Sequence, residues 1–148
     1  MFKKILVPVD GSDLSNVALK QACAFAKEIG AHVVFYYARP GYLPDYISGE
    51  VVVGVVAVDV AFIHAMKKKG HDILAKAVQA ATDAGIEFEK MSNENNAPYE
   101  GIIQAAESKS CDLIFMASHG HRGIAGLLLG SETQKVLTHC KIPVLVYR

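Results

Sequence analysis

The chain has no net charge, few cysteines and no apolar run long enough to cross a membrane. Each absence removes a class of protein. Fifteen basic side chains balance fifteen acidic ones, and no lysine and arginine stripe carries interleaved aromatics, so no nucleic-acid partner is expected. The only basic run, Lys67-Lys68-Lys69, lies within a helical pattern and reads as a solvated face. The three cysteines, Cys23, Cys111 and Cys140, are odd in number, widely spaced and set among apolar neighbours. Small core side chains fit that pattern better than a disulfide framework or a zinc site, and unpaired thiols point to a reducing compartment. The start, Met1–Val9, resembles a leader but is interrupted by Asp10 and Asp13, and no small-residue cleavage site follows. Val51–Ala57 falls far short of the roughly 20 residues of a membrane span. A cytoplasmic protein without membrane contact is the expectation. Internal repeats and low-complexity segments are also absent.

What remains is 148 residues, 51% apolar and 20% charged, the balance of one compact domain, 1–148, with one sizeable core. Lys4–Val9, His32–Tyr37, Asp112–Ala117 and Pro143–Tyr147 are nearly continuous in β-branched and large apolar residues, as strands buried on both faces are. Ile86–Met91 alternates and reads as a strand nearer the sheet edge. Four helical stripes lie between them. Leu14, Ala18, Ala22, Phe25 and Ile29 form the first, ended by Gly30. Ile63, Met66, Ile73, Ala77 and Ala81 form the second, ended near Gly85. Ile102, Ile103 and Ala106 form a short third, and Thr133, Val136, Leu137 and Cys140 a fourth that stops before Pro143. The order predicts an α/β fold: a three-layer α/β/α sandwich with a five-stranded parallel sheet and a Rossmann-like nucleotide-binding topology. Ligands of such sheets bind beyond the carboxyl ends of the strands, where the strand order reverses. Arg39–Gly54, with Pro40, Gly41, Pro44 and Gly49 among apolar residues, reads as a loop: a lid, a partner contact or simple packing.

The candidate chemistry sits in two strand-to-helix turns. Ala117–Ser131 follows an apolar strand, carries Gly120, Gly123, Gly126 and Gly130, and opens into a helix. Glycines let a backbone approach an anion, and the first N–H groups of a helix favour negative charge. Ser131 adds a hydroxyl at the helix start. Pro8-Val9-Asp10-Gly11-Ser12 closes the first strand. There Asp10 either accepts a ribose hydroxyl or caps the turn, with Ser12 or Asp13 capping the helix. His119 and His121 suggest a metal, but no third ligand stands nearby, because His64, His71 and His139 fall on helices elsewhere. No metal site is expected.

Taken together, these residues resemble the universal stress protein family over essentially the whole chain. Lys3-Lys4-Ile-Leu-Val-Pro-Val-Asp10-Gly11-Ser12, Ser118-His119-Gly120, Leu129-Gly130-Ser131 and Ile142-Pro-Val-Leu-Val carry the likeness. The ATP-binding signature of that family is Gly, two residues, Gly, nine residues, then Gly with Ser or Thr. Gly120, Gly130 and Ser131 match it, while Ala117 stands in place of the first glycine. A methyl group there costs little at negative φ and more at positive φ. The resemblance, which extends to the adenine nucleotide alpha hydrolase-like fold, implies a nucleotide site. Pro8, Val9 and Asp10 would border the nucleoside with Asp10 on the ribose, and the backbone of Ala38 would meet the adenine edge. Ala117, Gly120, Gly130, Ser131 and Glu132 would surround the phosphates, with His119 orienting the loop and Arg122 approaching a phosphate. ATP is the implied ligand, with Mg²⁺ held mainly by phosphate oxygens. Glu132 is an awkward neighbour for phosphate unless its side chain turns outward or reaches that Mg²⁺.

The implied role is a nucleotide-dependent regulator in the stress response. The alternative is a dimeric protein-interaction scaffold of the same fold that binds no nucleotide. An enzyme of adenylate chemistry ranks last, since no activated nucleophile or convergent acid and base pair is evident. Any ATPase activity is expected to be slow. Homodimerisation is expected through the apolar final strand, Val144–Tyr147, whose open edge a symmetry mate would cover.

Overall fold

A computed structural model describes residues 1–41, 53–120 and 129–148, and for residues 53–59 the backbone alone. The chain alternates strand and helix throughout: β1 (Lys4–Pro8), α1 (Asp13–Ile29), β2 (His32–Arg39), α2 (Val53–Ala84), β3 (Phe88–Glu94), α3 (Pro98–Ser108), β4 (Leu113–Ala117), α4 (Ser131–His139) and β5 (Val144–Tyr147). The five strands form one parallel sheet in the order β3-β2-β1-β4-β5. The α/β expectation and its five-stranded parallel sheet hold.

Strand parity assigns the two faces. Ile5, Val7, Val33, Phe35, Leu113 and Phe115 pack under α1 and α2 through Leu19, Ala22, Cys23, Ala26, Ile73, Ala77 and Ala81. Leu6, Val34, Tyr36, Ile114 and Met116 pack under α3 and α4 through Ile102, Ala105, Ala106 and Val136. Alanines on the helices let them lie close to β-branched strands, and glycines extend this. Gly70 of α2 abuts the Tyr37 ring, and Gly101 of α3 abuts the Tyr36 hydroxyl, which donates to Asn93 Oδ1 at 2.6 Å. Burial pushes the Cys23 and Cys111 thiols up to about 11, so both stay protonated in the core.

At the side of the sheet, Glu89 of β3 accepts from Lys109 at 2.7 Å and from Lys4 of β1 at 2.9 Å. These bonds hold its carboxyl down at about 2.

Three expectations need correction. β3 runs Phe88–Glu94 rather than Ile86–Met91, because β2 continues to Arg39 and pairs Ala38 with Asn93 and Arg39 with Glu94. Polar residues therefore complete an edge strand. α2 begins at Val53, and Ile63, expected in its buried stripe, is 37% exposed, with Val60 and Phe62 beside it at 50% and 47%. At 32 residues α2 is about 48 Å long, much longer than any strand, and its Gly70 lies against Tyr37 near the end of β2. Ile29 and Leu137 likewise lie outside the core, at the rims of α1 and α4. Most of the expected loop, residues 42–52, lies outside the described residues. Among those described, no helix is long and apolar enough to cross a membrane.

Candidate functional site at the reversal of strand order

The connections β1–α1 and β2–α2 run to one face, and β3–α3 and β4–α4 to the other. The order therefore reverses between β1 and β4, and the turns after these two strands flank a notch at the carboxyl edge. Both candidate turns meet there.

The β1 turn is a short hydrogen-bonded unit. Asp10 Oδ1 accepts from Ser12 N at 2.9 Å and from Ser12 Oγ at 2.6 Å. Gly11 sits at φ 79° between them. Ser12 caps α1 by accepting from Ser15 N at 3.3 Å, and Ser15 Oγ accepts from Asp10 N at 3.2 Å. Asp10 thus fixes the turn through one carboxylate oxygen. The other, Oδ2, lies against Gly120, where any Cβ would overlap it.

The β4 turn is pinned at its root. Ser118, buried, donates its N–H to Tyr147 O at 2.7 Å, and its own carbonyl accepts from Gly130 N at 2.7 Å. Thr133, also buried, donates its hydroxyl to Ala117 O at 3.1 Å. Ser118 Oγ stands 3.2 Å from His119 Nδ1. A Cβ on Gly130 would lie 3.0 Å from both Cα and Cβ of His119, so any larger residue there would push the two ends of the loop apart. Gly120 and Gly130 thus permit this close approach. Neither lies at positive φ, unlike Gly11, Gly30 and Gly85. Ala117 ends β4 in register with Tyr147 and is not among the positive-φ residues. Its methyl group therefore carries no backbone strain.

Gly130, at φ −71° and ψ 156°, is the N-cap of α4 and brings no side-chain acceptor to the first turn. The amides of Ser131 and Glu132 begin the helix, where backbone donors lack intrahelical partners. Ser131 itself is exposed. The Glu132 side chain turns away, to Tyr99 N of α3 at 2.9 Å and Lys135 Nζ at 3.1 Å.

Ala38 completes the notch. Alternate residues of a strand direct their main-chain groups to opposite neighbours. On β2 the even residues face β1, as His32 N bonding Lys3 O and Val9 N bonding Tyr36 O establish. Pairing of β1 with β2 stops at Pro8 and Tyr36. The N–H and C=O of Ala38 therefore face the space beyond the end of β1, between Asp10 and the β4 turn. Asp10 and Gly11 also border an open cleft of about 380 Å³ toward α2, lined by Lys68, Lys69, Asp72 and Lys76 among others.

The fold thus brings Pro8, Val9, Asp10, Ala38, Ala117, His119, Gly120, Gly130, Ser131 and Glu132 to one edge of the sheet. Arg122 and His121 lie outside the described residues. Ser15, Ser118 and Thr133 shape both turns and were missed as site residues. Their only sequence signal was a small hydroxyl beside a motif residue. Among the described residues no group of three or more His, Cys, Asp or Glu side chains could hold a metal ion.

A doubly wound parallel sheet whose strand order reverses beneath the β1 and β4 turns defines an open α/β class of domain. The chain matches the model of the universal stress protein family over residues 1–148 and belongs to that family. It is 33% identical to universal stress protein YxiE of Bacillus subtilis, with both chains covered in full. Among solved structures it resembles MJ0577 of Methanocaldococcus jannaschii, with a TM-score of 0.78, 26% identity, and 99% and 95% of the two chains covered. It also resembles a universal stress protein solved in complex with cAMP, with a TM-score of 0.72, 25% identity, and 99% and 97% covered.

Proposed function

We propose that this protein binds an adenine nucleotide, ATP, in the notch between the β1 and β4 turns, and acts as a nucleotide-dependent regulator in the stress response. The observation that carries the reading is the pair of glycines at positions where a Cβ would crowd a neighbour, Gly120 against Asp10 and Gly130 against His119. Gly130 itself leaves bare backbone in front of the first turn of α4, as an anion requires. The residues suit the ligand in three parts. The main-chain donor and acceptor of Ala38 match a base edge, Asp10 Oδ2 matches a ribose hydroxyl, and the amides of Ser131 and Glu132 match phosphate oxygens. Mg²⁺ would be held mainly by those phosphate oxygens. The cAMP complex of a relative supports an adenine nucleotide in this fold.

Among the described residues the site offers binding groups and no activated nucleophile, so any ATP turnover is expected to stay below about 1 s⁻¹, the low end of ordinary enzymes. Isothermal titration calorimetry of nucleotide-stripped protein with ATP and Mg²⁺ tests the proposal. Saturation near one nucleotide per chain is expected, and no heat at millimolar ATP would refute it.

A second reading, a dimeric scaffold without nucleotide, rests on β5. This strand is apolar, half-buried along its whole length and, among the described residues, paired on one side only, with β4. A symmetry mate on the open side would cover it under either reading. Sedimentation at micromolar concentration should give a dimer, and a monomer alone would count against β5 as an interface.

A further inference from the structure

We infer that Glu132 is a positioning residue of the nucleotide site, which it serves by capping α3 from α4. The inference rests on the nucleotide-binding reading above and concerns how its anion-binding turn is held.

Helix α3 starts without a cap of its own. Its N-cap residue is Ala97, which makes no side-chain cap hydrogen bond, and Pro98 follows. The first amide in need of an acceptor is Tyr99 N, and Glu132 Oε2 supplies one at 2.9 Å from across the sequence. Negative charge is favoured there by the dipole of α3. The contact is reinforced around the same residue. Lys135 Nζ stands 3.1 Å from Glu132 Oε1 and 5.2 Å from the centre of the Tyr99 ring. The His139 ring lies 5.6 Å from the Tyr99 ring. Glu132, Lys135 and His139 share one face of α4, so the start of α3 is gripped along that face.

Two consequences follow for the site. The carboxylate, which would repel a phosphate if aimed at its own helix N-terminus, is committed to a neighbouring helix. The first turn of α4, whose amides the phosphate would meet, is anchored to α3 as well as to β4 through Thr133 and Ala117 O. Without the grip, α4 keeps its packing through Val136 and its bond to Ala117 O but loses one of the two ties that set its first turn. Binding and grip are then coupled, and the coupling is reciprocal. A nucleotide that prefers the gripped turn must strengthen the Tyr99 N–H bond by the factor that the grip adds to affinity.

Amide hydrogen exchange at Tyr99, read with and without ATP, and ATP titrations of the wild type, Glu132→Ala and Glu132→Gln test this. In the wild type ATP should slow Tyr99 exchange about fivefold or more, the low end of ordinary coupling. Glu132→Ala should weaken ATP binding by a similar factor and abolish the ATP effect on Tyr99. Glu132→Gln keeps an acceptor without the charge and should restore both to within about threefold. A Glu132→Ala protein that melts earlier but binds ATP as the wild type does, with Tyr99 exchange indifferent to ATP, would reduce Glu132 to a stabilising contact and overturn the inference. Wild-type protein that binds no ATP would instead overturn the nucleotide reading itself, and this inference with it.

Discussion

Replacing Gly120 with alanine puts one methyl group where Asp10 Oδ2 now lies. The backbone does not resist the change, because Gly120 is not at positive φ. The cost arises in the neighbour. Asp10 can clear the methyl group only by rotating, and rotation takes Oδ1 from Ser12 N and Ser12 Oγ, held at 2.9 and 2.6 Å. Overpacking of this size costs about 1–3 kcal/mol, and a hydrogen bond to a charged group is worth a net ~1.5–3 kcal/mol. Relaxation takes the cheaper course, so about 2 kcal/mol is the expected loss. If it falls on the site, that loss weakens nucleotide binding roughly thirtyfold, at about 1.4 kcal/mol per tenfold. If it falls on the fold, the urea midpoint drops with the slope unchanged. Calorimetric titration of ATP into Gly120→Ala beside a urea melt separates the two. Ala117→Gly is the control, since Ala117 carries no φ strain: it should bind ATP within about threefold of the wild type. A Gly120→Ala protein that binds ATP and melts as the wild type does would refute the reasoning. So would an Ala117→Gly protein that binds tenfold tighter, which would mean that strain at Ala117 had been missed.

Two further outcomes are expected. Thr133→Val keeps the buried shape but leaves Ala117 O without the hydroxyl now 3.1 Å away. It should cost about 1–2 kcal/mol in a urea melt, and an unchanged midpoint would show that the bond adds nothing. Glu89, bonded first by Lys109 and then by Lys4, has its carboxyl lowered from 4.5 to about 2. A lowered value in the folded state adds stability above the ordinary value, and that stability is lost as pH falls through the folded one. The wild type should therefore exceed Glu89→Gln in stability above about pH 4.5, with the gap closing toward pH 2. The side chain is 35% exposed, so the gap should be small and shrink with salt. A gap that widens on acidification would reverse the assigned sign.

The fold was legible where the signal is local. Continuous apolar runs marked β1, β2 and β4, and the glycines of the two turns marked the carboxyl edge. The end of β3 was not legible, because Ser92, Asn93 and Glu94 are strand residues only by virtue of the neighbour they pair with. Nor was the exposure of Ile63, since its periodicity matches that of buried residues and only the length of α2 takes it past the sheet. The site divides in the same way. Asp10, Gly120 and Gly130 were readable as residue types at a spacing. The open main chain of Ala38 depends on where β1 stops, and the grip of Glu132 on Tyr99 spans 33 residues. No window along the chain contains either fact.

Ser118, which closes the root of the β4 turn, hangs by its amide from Tyr147 of β5. The strand proposed for pairing between copies is therefore also a tether of the loop proposed for nucleotide. That gives a purification tag a preferred end. Appended after Arg148, a tag that frays β5 would slacken the loop and could be mistaken for weak affinity. Placed before Met1, it sits by the amino ends of the strands, at the far edge of the sheet from either turn.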